Sequence, residues 1–352
     1  MIVLDNIIFS LQKAGGVSTL WTNLMSNLMD KTNEVRFIEY ENSTENIFRG
    51  GLKVPERYIL LQKGKASKLN ELFSPKVSFD RPFIFHSSYF RLCKNKNAIN
   101  VSTVHDFIYE QGKPTFMQKF RIMLDYRAIR KSDAIVCISE NTKKDLLKFI
   151  PDIDPEKITV IYNGVSEDFS KLSEIPYPEY KDSILYIGGR QSYKNFDFVV
   201  KTLSSADLDL VICGTPLSDR EREMLERELP GRYRHVLFPS NQELNKILNS
   251  VYALAYPSSY EGFGIPVIEA QRAGCPVIAL NASSIPEIIG DDRLLMNALS
   301  KEEFMKKIGL LKDIEFRNSV VALGLENAGR FSWQKMSDGY YELYMKLLHN
   351  KS

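Results

Sequence analysis

Short apolar runs, several of them unbroken, alternate with amphipathic stretches along the whole chain. The runs cover residues 2–4, 35–40, 83–86, 100–104, 134–138 and 159–162 in the first half, and 184–187, 208–213, 236–238, 253–256 and 276–280 in the second. Runs without alternation are typical of strands that are buried on both faces of a parallel sheet. The helical stretches between them predict βαβ units and therefore an α/β protein.

One break divides this pattern into two halves of the same kind. The run 159–162 is followed by Asn163-Gly164-Val165 and by a polar stretch, 167–181, that contains two prolines. A chain of 352 residues is also longer than one typical domain. We predict two Rossmann-like, doubly wound domains, 1–166 and 167–333, that face each other across a ligand-binding cleft. A terminal helix is predicted to follow.

The net charge of +2 hides an asymmetry between the two halves. Residues 1–166 contain 24 basic and 18 acidic residues, whereas the remainder contains 22 and 26. A basic first half favours an anionic partner, although an ordinary solvated surface explains it equally well. The excess is too small to indicate a nucleic-acid-binding protein, so no nucleic-acid partner is predicted.

The location in the cell is predicted from features that the sequence lacks. No apolar run approaches the roughly 20 residues needed to cross a bilayer, and the N-terminus resembles a strand, not a secretory signal. Cys93, Cys137, Cys213 and Cys275 have neither metal-ligand nor redox spacing, which predicts reduced core residues. We therefore expect a cytoplasmic protein and leave peripheral attachment to a membrane open.

The most informative motif is the segment 258–270, which follows the apolar run 253–256. Pro266 suits the first turn of a helix, and Gly274 suits the position just after its end. The glycines at 262 and 264 therefore precede a helix N-terminus. Backbone N–H groups and the helix dipole favour an anion there, and glycine allows it to approach closely.

The same motif contains two carboxylates eight positions apart. Glu261 precedes the predicted helix and Glu269 lies within its first turns, so both can face one ligand. A carboxylate can accept two hydroxyl hydrogen bonds, as a sugar or a ribose offers. The alternative is that Glu269 is only a favourable charge near a helix start and that Glu261 is a solvated loop residue.

A second motif, 187–196, ends the first strand of the second domain. Asn195 is predicted to cap the helix that follows, which places Arg190 and Lys194 beside a helix start. A diphosphate requires such a site, because Arg provides a fork of donors and Lys a point charge. A tight turn with two surface cations is the alternative interpretation.

A third motif, 13–18, is rich in glycine and opens a helix that runs to about residue 28. It resembles a phosphate-binding loop but lacks the Lys-Ser of a nucleotide triphosphatase, so ATP hydrolysis is not expected. A plain turn between strand and helix is the alternative.

A fourth motif, 103–107, ends a strand of the first domain. His105 could orient a sugar hydroxyl or take part in proton transfer, and a purely structural histidine is the alternative.

The helix predicted over residues 115–131 carries five basic residues and one acidic residue, and its apolar residues supply an apolar surface. A basic amphipathic helix can dock on an anionic membrane. It can also simply pack against its own sheet.

Together, these motifs resemble the family 4 retaining glycosyltransferases of the GT-B fold, in particular the bacterial enzymes of O-antigen, lipopolysaccharide and capsular polysaccharide biosynthesis. The hallmark is the E-x7-E pair formed by Glu261 and Glu269. Further matching segments are Gly15-Gly16, His105-Asp106, 138–142, 162–165, Gly188-Gly189-Arg190 with Lys194-Asn195, 285–290 and 331–333. In this family, the last helix usually crosses back to the first domain. The resemblance therefore assigns 334–352 to an acceptor-binding first domain and makes the second domain the donor-binding one.

The resemblance also implies roles for individual residues. Arg190 and Lys194 would neutralise the leaving diphosphate, and Glu269 would hold the ribose. The residues assigned to the donor are Gly16, Gly189, Arg190, Lys194, Gly214, Thr215, Pro239, Ser240, Glu261, Gly262, Phe263, Gly264, Ile265 and Glu269. The residues on the acceptor side are Gly15, His105 and Asp106, and those assigned to catalysis are Glu261, His105, Arg190 and Lys194. The loops at Gly214-Thr215 and at 238–241 depart from the common pattern, which leaves the nucleotide base open.

The expected reaction moves a hexose, of the mannose or N-acetylhexosamine type, from a UDP- or GDP-linked donor to a glycan or lipid-diphosphate-linked glycan. No cofactor and no metal are expected, because protein cations would stabilise the leaving group. No nucleophile is evident, which favours attack by the acceptor on the face that the diphosphate leaves. A GT-B-fold nucleotide-sugar epimerase and a non-catalytic nucleotide-sugar-binding scaffold are the alternatives. A pyridoxal-dependent phosphorylase would need a much longer chain.

Overall fold

The computed structural model describes residues 1–351 and divides into two compact units. The first unit comprises Met1–Gly164 together with the segment that begins at Trp333, and the second comprises Val165–Ser332. Each unit is built around one parallel sheet.

The sheet of the first unit has seven strands in the order β3-β2-β1-β4-β5-β6-β7. The strands are β1 (Ile2–Asp5), β2 (Val35–Tyr40), β3 (Ile59–Gln62), β4 (Phe83–Ser87), β5 (Ala98–Val104), β6 (Ala134–Cys137) and β7 (Ile158–Val160). All pair in parallel. The direction of winding reverses between β1 and β4, and doubly wound sheets bind their ligands at such a switch point.

Five helices of the first unit precede the domain boundary. They are α1 (Ile8–Leu11), α2 (Gly16–Lys31), α3 (Ile47–Gly51), α4 (Phe116–Lys131) and α5 (Glu140–Phe149). The helix predicted over 115–131 is confirmed as α4, and its start has a physical cause. The Thr115 side chain accepts from the Gln118 N–H while the Gln118 side chain accepts from the Thr115 N–H, which satisfies two donors at the helix start.

The sheet of the second unit has six parallel strands in the order β10-β9-β8-β11-β12-β13. The strands are β8 (Ser183–Ile187), β9 (Asp209–Gly214), β10 (Tyr233–Leu237), β11 (Ala253–Tyr256), β12 (Val277–Leu280) and β13 (Leu295–Met296). The helices are α6 (Phe196–Leu203), α7 (Asp219–Glu228), α8 (Asn241–Leu248), α9 (Ile265–Arg272), α10 (Ile285–Ile289), α11 (Lys301–Leu310) and α12 (Ile314–Ala328). Its switch point lies between β8 and β11. The prediction of two doubly wound parallel sheets is confirmed.

The last helix, α13 (Trp333–Lys351), belongs to the first unit although it follows the second in the chain. Buried hydrogen bonds fix it to the sheet. Tyr344 bonds His86 Nδ1 at 2.5 Å, and Tyr340 bonds Thr103 Oγ1 at 2.9 Å. Thr103 Oγ1 also lies 3.0 Å from His86 Nε2, so these four side chains form one chain of hydrogen bonds.

Two strands were not predicted from the sequence. β3 lies at an edge of its sheet and leaves Leu61 63% exposed, so its pattern is not that of a buried strand. β13 is only two residues long. The four cysteines are buried and form no disulfide, as the sequence predicts. Among the described residues, no helix is both long enough and apolar enough to cross a bilayer.

Candidate active site

Two loops leave the switch point of the second sheet side by side. β8 and β11 pair directly although they are not consecutive in the chain. The loops that follow them, 188–195 and 257–264, therefore both start at the carboxyl edge of the sheet, where doubly wound folds bind ligands. The two most informative sequence motifs lie in these two loops.

Asn195 joins the two loops and does not cap α6 with its side chain, so the predicted cap is wrong. Its backbone is left-handed, with φ of 54°, and its side chain makes no capping hydrogen bond. Its amide nitrogen instead donates to Pro257 O and Ser259 Oγ, each at 2.8 Å. The Ser259 N–H in turn donates to Tyr193 O at 2.8 Å. The left-handed backbone carries the side chain away from the helix axis and towards the second loop.

Lys194 and Glu261 form an ion pair between the two loops. Lys194 Nζ lies 2.8 Å from Glu261 Oε1, and the two side chains are 18% and 14% exposed. Buried Tyr256 donates its hydroxyl to Glu261, and burial raises the pKa of this phenol well above its ordinary value. Below the pair, the Tyr186 hydroxyl donates to Gly189 O at 2.9 Å and lies 3.3 Å from Lys194 O. The loop with the cation is thus fixed to the sheet, while the Lys194 side chain keeps partial contact with solvent.

The loop with Glu261 enters α9 through a glycine that its backbone requires. Gly264 precedes α9 with φ of 109°, a conformation that strains other residues. Two serines after β12 hold this loop in place. The Glu261 N–H donates to Ser283 Oγ at 2.8 Å, and Ser284 Oγ donates to Phe263 O at 2.8 Å. The carboxylate is therefore presented by a rigid turn.

Glu269 lies on the second turn of α9 and is partly buried. Burial raises the pKa of its carboxyl to about 7. Among the residues that the structure describes, none forms a hydrogen bond or ion pair with this side chain. A partly buried carboxyl group without a protein partner costs stability. Hydroxyl groups of a ligand would provide the missing partners.

Arg190 is oriented by acceptors on the loop after β9. Its Nε pairs with Glu221 Oε1 at 2.8 Å, and its Nη2 donates to Pro216 O at 2.6 Å and Thr215 O at 3.0 Å. Nη1 is buried and has no partner within residues 1–351. The side chain is 4% exposed, so its guanidinium is held in a fixed position beside this loop with one nitrogen unsatisfied.

The other predicted donor residues have more local roles in this structure. Gly214 has φ of 149°, and a Cβ there would lie 2.8 Å from Gly188 O, so the loops after β8 and β9 touch at this glycine. Ser240 caps α8 by accepting from the Glu243 N–H, and Pro239 directly precedes it. Phe263 is buried against Phe331, with ring centroids 5.7 Å apart. Gly262 lies beside Glu261 in the same loop, and Ile265 begins α9.

The first unit places Gly15 and Gly16 at the start of α2. Asn46 holds this loop, because its amide nitrogen donates to Gln12 O and to Ser18 Oγ, each at 2.9 Å. A Cβ at Gly16 would meet nothing within 4 Å. The protein itself therefore has no steric need for glycine at that position.

His105 and Asp106 follow β5 and line one cavity together with Val17, the residue after Gly16. His105 is partly exposed, and burial lowers its pKa to about 4, so the imidazole is neutral at physiological pH. Asp106 is exposed and accepts from the Ile108 N–H at 3.0 Å. His105 and Asp106, which are predicted to lie on the acceptor side, thus line one cavity with the residue that follows the glycine loop.

Several residues that build the second-unit site carry no recognisable signal in the sequence. Tyr256 was assigned only to a strand, and nothing in the spacing of Ser283, Ser284 or Glu221 indicates contact with Glu261 or Arg190. These contacts join segments that are more than 20 residues apart in the chain.

The matching sequence families agree with this arrangement. The family described as "Glycosyltransferase Family 4" matches residues 14–169, and the family described as "Glycosyl transferases group 1" matches residues 170–322. The two sheets and their switch-point loops therefore define a GT-B glycosyltransferase, and the chain belongs to glycosyltransferase family 4.

Individual similar proteins include two bacterial relatives. An uncharacterized 41.2 kDa protein in the cps region of Klebsiella pneumoniae is 27% identical over 94% of this chain and 96% of its own length. The O-antigen chain mannosyltransferase RfbU of Salmonella typhimurium is 29% identical over 64% of this chain and 65% of its own length. The structure of Anabaena Alr3699/HepE in complex with UDP-glucose superimposes with a TM-score of 0.74, covering 98% of this chain and all of that one at 14% identity. At that identity, the superposition supports the fold alone.

Proposed function

We propose that this enzyme transfers a hexosyl group, of the mannose or N-acetylhexosamine type, from a nucleoside-diphosphate sugar to a glycan acceptor. The observation that carries the proposal is the Lys194–Glu261 pair, 2.8 Å long and partly open to solvent, at the switch point of the second sheet. A ligand that offers a phosphate to the cation and hydroxyls to the carboxylate can replace such a pair. A nucleoside-diphosphate sugar offers both.

In the proposed reaction, the bond between the anomeric carbon and the diphosphate oxygen breaks, and its electron pair leaves with the diphosphate. Lys194 and the unpartnered Nη1 of Arg190 stabilise that charge. The acceptor hydroxyl forms the new bond on the same face, and its proton passes to the departing diphosphate. This sequence retains the anomeric configuration and needs no divalent metal.

The two glutamates would bind the neutral parts of the donor. Glu269 would accept hydrogen bonds from the ribose hydroxyls, and Glu261 would accept them from the transferred sugar once Lys194 has turned to the diphosphate. Hydrogen bonds from hydroxyls favour the charged form of a carboxylate. Donor binding should therefore lower the pKa of Glu269 from its raised value of about 7.

The names of similar proteins support the substrate class. The Anabaena structure contains UDP-glucose, and the Salmonella relative is an O-antigen chain mannosyltransferase. We propose a UDP- or GDP-linked hexose as donor and a lipid-diphosphate-linked oligosaccharide of O-antigen, lipopolysaccharide or capsule synthesis as acceptor. An epimerase would act on the nucleotide sugar without an acceptor, and a scaffold would bind it without turnover, so product analysis separates both from a transferase.

Thermal unfolding with UDP, GDP, ADP and dTDP, each with and without magnesium, tests the donor site. A nucleotide at 100 times its dissociation constant should stabilise the protein by about 2.7 kcal/mol. We expect stabilisation by one of them without magnesium. The Lys194→Ala variant should lose most of it, whereas Lys201→Ala, at an exposed lysine of the same unit, should keep it.

Two results would contradict this account. If no nucleotide stabilises the protein, the donor site is wrong. If stabilisation requires magnesium, the assignment of the leaving group to protein cations is wrong.

We further propose that the outer face of α4 docks this enzyme on an anionic membrane. The α4 face comprises Phe116, Met117, Phe120 and Met123, whose side chains are 83%, 71%, 44% and 55% exposed. Leu72 and Phe73 are 50% and 66% exposed, and they share a surface groove with residues of α4. Large apolar side chains grouped at the surface mark an interaction site.

Charge identifies the partner of the α4 face. Lys119, Arg127 and Lys131 of the same helix are exposed, whereas its one acidic residue, Asp125, is only 20% exposed. An apolar face flanked by cations fits the boundary between headgroups and acyl chains of anionic lipids. Such a position would bring the enzyme to a lipid-linked acceptor.

Vesicle co-sedimentation tests this docking. The protein should bind vesicles that contain phosphatidylglycerol and should not bind vesicles of phosphatidylcholine alone. Replacing Phe116 and Phe120 with serine should abolish binding. Replacing Ile314 and Leu323 of α12, which are 64% and 45% exposed, should leave it unchanged. Equal binding by both double variants would refute the assignment of the α4 face.

A further inference from the structure

A cavity of about 160 Å³ lies beneath α4 in the first unit. Its walls come from four segments: the start of α2 at Val17, Tyr89 and Phe90 after β4, residues 104–110 at and after the end of β5, and the inner side of α4. The volume is small beside the roughly 300–1,000 Å³ of pockets that hold drug-sized ligands. The cavity therefore suits one small ring and not a chain of several rings.

Hydrogen bonds and a stacked ring fix the polar side chains of this cavity. Arg121 Nη1 donates to Glu71 Oε2 at 3.0 Å, its Nε lies 3.6 Å from Asp125 Oδ2, and its guanidinium stacks 4.3 Å from the ring centre of Tyr89. On the other side, the Tyr126 hydroxyl donates to Glu110. The site is thus preorganised before any ligand binds.

The charge of the lining excludes an anion. Asp106, Glu110 and Asp125 supply three carboxylates against one arginine, which is already shared between Glu71 and Asp125. A phosphate would meet repulsion from whichever of these carboxylates are ionised, and burial raises the pKa of Asp125 to about 7. Carboxylates that keep free lone pairs accept hydroxyl hydrogen bonds well.

The lining also has an aromatic part. Tyr89, Phe107 and Tyr126 line the cavity beside the carboxylates, and the rings of Phe107 and Tyr126 lie edge to face with centroids 6.5 Å apart. Aromatic rings bury the apolar face of a ligand while their polar neighbours bind its rim. A neutral sugar ring has both features, with C–H groups on its faces and hydroxyls around its edge.

We propose that this cavity binds one neutral hexose ring of the glycan acceptor and that Asp125, Glu110 and Tyr126 determine which hexose is accepted. The inference rests on the proposed function, because it specifies the acceptor of the same reaction. It extends the acceptor-side residues from His105 and Asp106 to the inner side of α4. Burial raises the pKa of Asp125 to about 7, which lowers the cost of holding this side chain beside a neutral ligand.

Methyl NMR on the full chain tests the proposal with simple probes. Isoleucine and valine methyl groups would be labelled, since Val17, Val104, Ile122 and Ile129 line the cavity. The probes are the methyl glycosides of mannose, glucose, galactose and N-acetylglucosamine, with inorganic phosphate as the anionic comparison. We expect at least one glycoside to shift these signals and phosphate to leave them unchanged.

Matched variants identify the residues responsible. Asp125→Asn keeps the shape of the side chain and should weaken glycoside binding at least about tenfold, the scale of one lost charged hydrogen bond. Tyr126→Phe keeps the ring and should change the order of preference among the glycosides. Asp80→Asn, at an exposed acid of the same unit, should change neither.

The outcomes separate this proposal from the proposed function. If no glycoside shifts the methyl signals of these four residues, if phosphate does, or if Asp125→Asn binds the glycosides normally, the cavity is not the acceptor site. Stabilisation of Asp125→Asn by the donor nucleotide should match that of the unaltered protein, which shows that the variant is folded. If no nucleotide stabilises the unaltered protein, the donor site is refuted and the result for the cavity still holds.

Discussion

The carboxyl edges of the two sheets use charge in opposite ways. In the first unit, the Asp5–Arg91 pair is 0% and 2% exposed, and the Glu39–Arg49 pair is 4% and 6% exposed. In the second unit, the Lys194–Glu261 pair is 18% and 14% exposed. A buried pair cannot exchange a partner without leaving an uncompensated charge, whereas a partly hydrated pair can. The first unit thus uses these two pairs to hold loops, whereas the second leaves the Lys194–Glu261 pair in partial contact with water.

The buried Glu39–Arg49 pair is linked through α3 to the Gly15-Gly16 loop. Arg49 bonds Glu39 through Nε at 2.7 Å and Nη2 at 2.9 Å. Arg49 lies on α3, whose cap, Asn46, donates to Gln12 and Ser18 of the glycine loop. The bidentate pair therefore fixes the short helix that positions this loop.

The largest effect should come from breaking the buried pair. Arg49→Met leaves the Glu39 carboxylate uncompensated and should cost about 3–5 kcal/mol of unfolding free energy. Arg81→Met removes a pair with Glu34 that is more than half exposed and should cost at most about 1 kcal/mol. Urea unfolding of both variants measures the contrast. Similar losses would show that burial does not distinguish the two kinds of pair.

The next effect concerns the partly hydrated Lys194–Glu261 pair and appears in activity. Lys194→Ala should lower kcat/KM for sugar transfer by about 100-fold or more, because the leaving charge loses a fixed cation. The unfolding free energy should change by less than about 1 kcal/mol. Steady-state kinetics with the donor nucleotide sugar and a urea titration test the two parts. A variant that stays fully active would remove Lys194 from the diphosphate site.

A third prediction concerns acid and the first unit. Burial lowers the pKa of His86 to about 3 in the folded protein, against about 6.5 when unfolded. Below pH 6.5 the unfolded chain therefore binds a proton that the folded chain excludes. The free energy of unfolding is unaffected by His86 above pH 6.5 and decreases as the pH falls towards 3. At pH 5 the loss is about 2 kcal/mol.

Fluorescence can follow this loss in the first unit, because Trp21 and Trp333 are the two tryptophans of the chain and both belong to that unit. The difference in urea stability between pH 7 and pH 5 should shrink in His86→Gln. It should persist in His349→Gln, at an exposed histidine of α13. An unchanged difference in His86→Gln would assign the acid sensitivity to other groups.

The smallest effect should come from Gly16→Ala. A Cβ at this position meets nothing within 4 Å, so stability should stay within about 0.5 kcal/mol. If a donor phosphate approaches this backbone, as the family resemblance implies, donor affinity should fall about tenfold, or about 1.4 kcal/mol. Gly309→Ala, with equally open surroundings in α11, should leave affinity unchanged. Calorimetric titration of both variants decides whether Gly16 serves a ligand.

The sequence predicted the parts of this fold that depend on local patterns. Buried parallel strands are apolar runs, so the central strands were placed correctly, and the helix predicted over 115–131 is present as α4. The half-exposed strand β3 has no such pattern. The cap assigned to Asn195 was wrong because residue type alone does not determine a left-handed backbone.

The candidate site likewise contains residues that the sequence predicts and contacts that it does not. Arg190, Lys194, Glu261 and Glu269 were found because they belong to two continuous motifs at strand ends. The acceptors of Arg190, the serines that hold the Glu261 turn, and the cavity beneath α4 arise from segments distant in sequence. Spacing along one chain does not reveal such contacts.

The placement of α13 has a consequence for biosynthesis. Residues 333–351 complete the first unit, yet the ribosome makes them after the whole of the second. During translation, the second unit can fold as soon as it emerges. His86 and Thr103 can form their hydrogen bonds with Tyr344 and Tyr340 only after α13 has been made. The first unit of this enzyme is therefore the first to be synthesised and the last to be finished.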